Sequence, residues 1–148
     1  MPNQKLHNLV LFFQNVVENA RKDVLKEVES GIIQGVIEDM NTQQLAKGIG
    51  SDGAELPHYS DVSVEKYGKR PGAMTMKDTG DFYDSIKMKL KGNNITLISN
   101  DYKMKAPIKL EWRYGALLGL TKKNQKKLAT IYLTKEVADS IKKQIKKI

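Results

Sequence analysis

Apolar residues recur at three- and four-residue steps along the first quarter of the chain: Leu6, Val10, Phe13, Val17, Ala20, Val24 and Val28, continued by Ile33, Ile37 and Met40. One stripe with a 3.6-residue period predicts helix over residues 5–40. Gly31 and Gly35 interrupt it. Each costs about 1 kcal/mol relative to Ala inside a helix, so a break near Ser30-Gly31 or a close helix contact is expected. Leu9, Phe12 and Val16 form a second apolar stripe. A helix apolar on two sides is buried on two sides or used for association. Leu9, Phe12 and Val16 are therefore the candidate contacts with another subunit or partner.

The pattern then changes. Ile49-Gly50-Ser51-Asp52-Gly53 is turn chemistry. Val62-Ser63-Val64 and Met74-Thr75-Met76 alternate around Gly68-Lys69-Arg70-Pro71-Gly72. This predicts an extended hairpin over 62–76 whose long basic tip, with Lys69 and Arg70, is a contact arm. Asp78 or Thr79 is placed to cap a short helical turn carrying Asp81. Ile86, Met88 and Leu90 alternate with Lys87, Lys89 and Lys91, a half-buried strand with a lysine face. Gly92-Asn93-Asn94 turns the chain into a partner strand at Ile95-Thr96-Leu97-Ile98. Pro107 is placed to open a helix through Trp112. Thr121 caps a final helix with an inner stripe of Leu128, Ile131 or Tyr132, Val137, Ile141, Ile145 and Ile148. The expected class is α+β: a helical N-terminus, a small antiparallel sheet of about four strands with a long hairpin, and a C-terminal amphipathic helix. A single domain is expected, with a helical region over 1–40, the sheet over 41–105 and C-terminal helices over 106–148.

Charge sharpens this picture. The 148 residues carry a net charge of +8. Residues 112–148 hold ten Lys+Arg against Glu136 and Asp139, so the whole excess lies in the last quarter. Lys122-Lys123, Lys126-Lys127, Lys142-Lys143 and Lys146-Lys147 recur opposite the apolar stripe. An ordinary surface helix mixes signs to gain i,i+4 pairs. This run points to a phosphate backbone or an acidic protein surface, with a solvated helix face as the plain alternative. There are no cysteines, which excludes disulfides, thiolate metal sites and a Cys nucleophile and fits a reducing compartment. No apolar run approaches a membrane span, and the start of the sequence lacks a signal-peptide layout.

Candidate chemistry is sparse. Asp78, Asp81 and Asp84 lie three apart and suggest a hard-cation site, against a plainer reading as helix-start charges. Asp52 in Ser51-Asp52-Gly53 lacks the remaining positions of a calcium loop. His7 and His58 have no recognisable partner and are expected to face solvent. Gly115-Ala116-Leu117-Leu118-Gly119 lacks the Lys-Ser/Thr of a phosphate loop and reads as a bend. Trp112, Arg113 and Tyr114 suggest a base-stacking platform, against core aromatics with one wet edge. No cofactor or metal is expected.

Several landmarks carry a resemblance. They are Asn41-Thr42-Gln43-Gln44-Leu45-Ala46-Lys47-Gly48 with Ser51-Asp52-Gly53, then Tyr59-Ser60, then Lys77-Asp78-Thr79-Gly80-Asp81-Phe82-Tyr83-Asp84-Ser85-Ile86, then Arg113-Tyr114-Gly115 with Leu118-Gly119-Leu120-Thr121. In this order, over roughly residues 38–125, they resemble small proteins of phages and prophages of gut bacteria. More distantly, Thr-Gly-x-x-x-x-Ser-Ile followed by two strands is similar to the head–tail joining and tail-completion proteins of tailed phages. The resemblance implies a non-enzymatic virion protein, assembled in the host cytoplasm. Such a protein forms a homo-oligomeric ring and meets portal, neck or tail components. It also implies that Asp78, Thr79, Gly80, Phe82, Ser85 and Ile86 form a structural motif. The long two-sided N-terminal helix and the basic last helix depart from that class. Two other readings stand beside it: a small basic DNA-binding protein, and a metal-dependent nuclease using Asp78, Asp81 and Asp84.

Overall fold

A computed structural model describes residues 2–92 and 94–146. The fold is mixed helix and sheet, with a long N-terminal helix, one two-stranded antiparallel sheet and a C-terminal helix. The chain forms two compact units. One comprises residues 1–33 and 127–148, the other residues 34–126.

In the first unit, α1 (Pro2–Glu29) runs for 28 residues. It stops where the glycine predicts a break: Ser30 and Gly31 separate it from α2 (Ile32–Ala46), and Gly31 lies at φ 87. α1 packs against α7 (Thr134–Ile145). The Asp23 carboxylate accepts bonds from Ser140 Oγ at 2.8 Å and Gln144 Nε2 at 3.4 Å. Those bonds, led by the Ser140 hydroxyl, hold the Asp23 carboxyl below its usual range. Val16, Ala20, Val28 and Leu128 are buried. α7 is reached through α6 (Lys122–Lys127) and a π-helical stretch, Leu128–Leu133. The inward side of α7 is not the predicted apolar stripe: Ser140 is its buried residue, Ile141 is half-buried, and Val137 and Ile145 are exposed. Thr134 Oγ1 donates to the Ala129 carbonyl, five residues back, at 2.8 Å. Of the two alternatives for the inner stripe, Tyr132 is half-buried and Ile131 exposed. Ile148 lies outside the described residues.

The second unit is built on α2 and the hairpin of β1 (Ile86–Lys91) and β2 (Asn94–Ser99). The register runs from Ile86 opposite Ser99 to Lys91 opposite Asn94. Gly92 in the turn lies at φ 61, and Asn93 lies outside the described residues. The predicted alternation holds: Ile86 and Met88 are buried, and Lys87, Lys89 and Lys91 are exposed. Ile37, Met40, Leu45, Leu56, Phe82, Leu97, Leu110 and Leu117 are buried with them. Glu38 on α2 reaches the strand, its Oε1 accepting from the Met88 N–H at 2.8 Å. Burial works against the charged Glu38. The bonds from Gln34 and Met88 and the charge of Lys87 outweigh it and hold the carboxyl below its usual range.

Four local expectations are corrected. Residues 62–76 form no hairpin. Asp61–Tyr67 is a helix, α3, whose first turn is capped by Ser60 Oγ accepting from the Ser63 N–H at 3.2 Å. Gly68, left-handed at φ 61, ends it. Three alternating residues were too few to set the period against these two caps. On the other side, residues 72–74 make only one isolated bridge, Ala73 to His58. The sheet therefore has two strands rather than about four. The helix near Pro107 starts later, as α5 (Leu110–Tyr114), because Lys109 at φ 46 is not helical. Trp112 is not a core residue but 83% exposed. Leu110 is the buried residue of α5, and two positions on, a side chain points about 200° round the helix.

Candidate functional site

The Thr79–Ile86 motif is a built turn. Gly80 is the N-cap of α4 (Asp81–Asp84) and lies at φ 102, a conformation L side chains rarely adopt. Thr79 Oγ1 accepts from the Asp81 N–H at 3.4 Å and donates to Asp81 Oδ2 at 2.7 Å. The turn drops Phe82 and Ile86 into the core, 2% and 1% exposed. Ser85 Oγ donates to the Phe82 carbonyl at 2.6 Å and meets Ser99 Oγ at 2.6 Å, tying the motif to β2. Asp78 is not a cap. It pairs with Lys69 Nζ at 2.7 Å, and that bond holds its carboxyl low and raises the Lys69 ammonium. Among the described residues no three His, Cys, Asp or Glu side chains are grouped to hold a metal.

Lys69 and Arg70 are not the tip of an arm. They line a cleft of about 730 Å³ with Lys47, Tyr59, Thr75 and Lys77. The Tyr83 hydroxyl donates to the Thr75 carbonyl, and Tyr59 Oη accepts from the Thr75 N–H at 3.4 Å. Burial, reinforced by Tyr59, pushes the Tyr83 phenol up to about 12.

The segments around residues 41–53 and 115–121, distant in sequence, come together here. Asn41 is fully buried, and its Nδ2 donates to the Leu117 and Gly119 carbonyls at 3.0 and 2.9 Å. Gln44 Nε2 donates to the Gly119 carbonyl at 3.1 Å, and its Oε1 accepts from the Thr121 N–H at 2.9 Å and Asn124 Nδ2 at 3.1 Å. The backbones approach so closely that a Cβ on Gly50 would lie 2.8 Å from the Ala116 carbonyl oxygen. The glycine-flanked bend is filled from within, Glu111 Oε1 accepting from the Leu117 and Leu118 N–H groups at 3.1 and 3.0 Å. Two adjacent amides on one carboxylate form an anion nest, already occupied by the protein's own side chain. Sequence reasoning missed this knot, although Asn41 and Gln44, three apart on a helix, were its signal.

In the first unit neither apolar stripe of α1 is covered along its whole length: Ala20 and Val28 of the first are buried, while Val10, Phe13 and Val17 are not. Val16 is buried, so it is not a free contact residue, and Phe12 is half-buried. Leu9 is half exposed, joined by Val10, Leu11, Phe13 at 54% and Val17 at 63%. The covered stripe is set by which side α7 occupies, a choice periodicity does not make. Asp23 meets Ser140 and Gln144, whereas Val17, Ala20 and Val24 line an apolar groove with Val137 and Ile141. Toward its N-terminus α1 thus keeps a largely uncovered apolar stretch, an overhang from Leu9 to Val17 in which only Val16 is buried. Residues 6–17 contain no Asp, Glu, Lys or Arg.

The seven described lysines of the basic run, Lys122, Lys123, Lys126, Lys127, Lys142, Lys143 and Lys146, are all exposed. Lys147 lies outside the described residues. His7 is exposed, and His58 Nε2 lies 3.1 Å from Glu55 at the surface. Comparison with protein-family models, curated proteins and solved structures finds no match.

Proposed function

We propose that this chain is a non-enzymatic structural protein of a tailed-phage virion, a ring-forming adaptor or completion protein of the head–tail neck or tail. The observation that carries the reading is the α1 overhang, a contiguous run of exposed apolar side chains with no Asp, Glu, Lys or Arg over residues 6–17. Exposed apolar patches of this kind mark association surfaces. The built Thr79–Ile86 turn and the resemblance over residues 38–125 agree with it. The test is particle composition. Virions purified from a lysogen carrying the gene, nuclease-treated and banded by density, should contain the protein at a fixed copy number per particle. Its absence from infectious particles would reject the proposal.

The exposed lysines favour a second reading, a contact with packaged DNA. Free duplex binding by the folded chain should then be sequence-independent and fall steeply with salt. Replacing Lys142, Lys143, Lys146 and Lys147 with Glu should abolish it without unfolding. Unchanged duplex binding and normal particle yield with that variant would leave the lysines as a solvated face.

A further inference from the structure

We infer that two copies of this chain pair reciprocally, the α1 overhang of each lying in the α1–α7 groove of the other. The inference rests on the assembly reading above and names the partner of that surface. Val10, Phe13, Val17, Ala20 and Val24 follow one another at steps of three, four, three and four. This is the spacing of a helix–helix seam, with β-branched residues at alternate seam positions. The first half of the seam is the exposed overhang. The second half, with Val137 and Ile141, forms one wall of an open groove of about 330 Å³ whose lining is almost wholly apolar. Projecting surface and groove thus share one stripe of one helix. Antiparallel pairing of two such helices centred near Val17 sets Val10 of each copy beside Val24 of the other and Phe13 beside Ala20 and the stem of Arg21, with Val137 and Ile141 across the groove. That is an isologous twofold contact, self-complementary by construction.

Two further observations select a second copy as the occupant. The overhang carries no charge over residues 6–17, so two overhangs meet without like-charge repulsion. The area also suffices only when the contact is reciprocal. Leu9, Val10, Leu11, Phe13 and Val17 are each about half exposed. Leu11 points about 100° away from Val10 and stays outside the seam. At on the order of 150 Å² per free side chain, the other four offer roughly 300 Å² per overhang, hence about 600 Å² per overhang–groove contact and about 1,200 Å² for the reciprocal pair, the lower end of a stable specific interface. A lipid surface is the other apolar occupant to exclude. A helix of that kind carries Lys and Arg along its polar face; α1 has them only outside the overhang, at Lys5, Arg21, Lys22 and Lys26, and none within residues 6–17.

The experiment is sedimentation equilibrium of the full chain across a concentration series, with folding checked by circular dichroism. A dimer is expected. Phe13→Glu on the overhang and Ile141→Glu on the groove should each weaken association by roughly 30-fold or more, as for a buried central residue. Mixed together, those two variants should recover part of the association, because their heterodimer keeps one intact overhang–groove contact. If Phe13→Glu fails to fold, Val10→Ser supplies the milder overhang change. Three outcomes overturn the inference: a monomer throughout, a dimer indifferent to both substitutions, or flotation with phosphatidylcholine–phosphatidylglycerol vesicles that Phe13→Glu abolishes in place of self-association. A monomer that is still found in particles would sink the pairing and spare the virion reading. A dimer absent from particles would do the reverse.

Discussion

Asn41 is the residue through which the second unit is most sharply testable. Its amide is fully buried, and its Nδ2 makes two bonds, to the carbonyls of Leu117 and Gly119. Its Oδ1 is buried with no partner among the described residues. Asn41→Ala removes both bonds. The Gly119 carbonyl keeps its bond from Gln44 Nε2, so the stranded acceptor is that of Leu117. Two lost bonds, one stranded carbonyl and a small cavity, less the relief of the unpartnered Oδ1, sum to about 2–4 kcal/mol. For a chain of this size that is a fall in Tm of roughly 5–15 °C. Asn41→Asp is the more discriminating change. It puts a carboxylate where two carbonyl oxygens face it, so the folded state raises the Asp pKa and disfavours the ionised form. The sign follows: the variant is penalised little below the unfolded Asp pKa of about 3.9 and increasingly as pH rises. If the folded pKa exceeds 7, the cost at pH 7 reaches about 4 kcal/mol beyond the low-pH value. Urea unfolding of wild type, Asn41→Ala and Asn41→Asp at pH 4 and pH 7 measures all of this. A wild type–Asp difference that is flat between the two pH values would refute the geometry. So would an Ala variant within 0.5 kcal/mol of wild type, on the order of a neutral surface change.

Two further predictions concern the core motif and the sheet anchor. An added Cβ at Gly80 meets no atom within 4 Å, so Gly80→Ala should cost only the strain of φ 102, about 1–3 kcal/mol, and the β-branched Gly80→Val more, each visible as a lower midpoint in urea with an unchanged slope. Because the folded Glu38 carboxyl is held below 4.5, its stabilising contribution is complete above that pH and drains away as pH falls through the folded value. Glu38→Ala should therefore lose about 1–3 kcal/mol at pH 7 and approach wild type in acid, and a gap that does not narrow at all as pH falls would show that the charge is not the source.

The local periodicities decided a good deal on their own. A stripe repeated over seven positions determines α1 as a helix, because each apolar residue adds to the same face. Gly31 determines its end, since it reaches φ 87 where other residues strain. The alternation of Ile86, Met88 and Leu90 with three lysines determines both the strand and its inward side. Gly80 and Thr79 specify their turn within four residues. Over Val62-Ser63-Val64 the local signal was too short, and the caps at Ser60 and Gly68 prevailed. What the sequence left open needs residues that meet only in three dimensions. Asn41 and Gln44 read as ordinary polar positions of a helix until the carbonyls of residues 117 and 119 arrive against them. Glu111 looks like a surface acid until Leu117 and Leu118 turn their amides onto it. The two stripes of α1 are equally apolar in sequence. Only the position of α7 decides that Val16 is covered while Phe13 and Val17 stay exposed, because a helix's periodicity defines its faces but not which neighbour comes to lie on them.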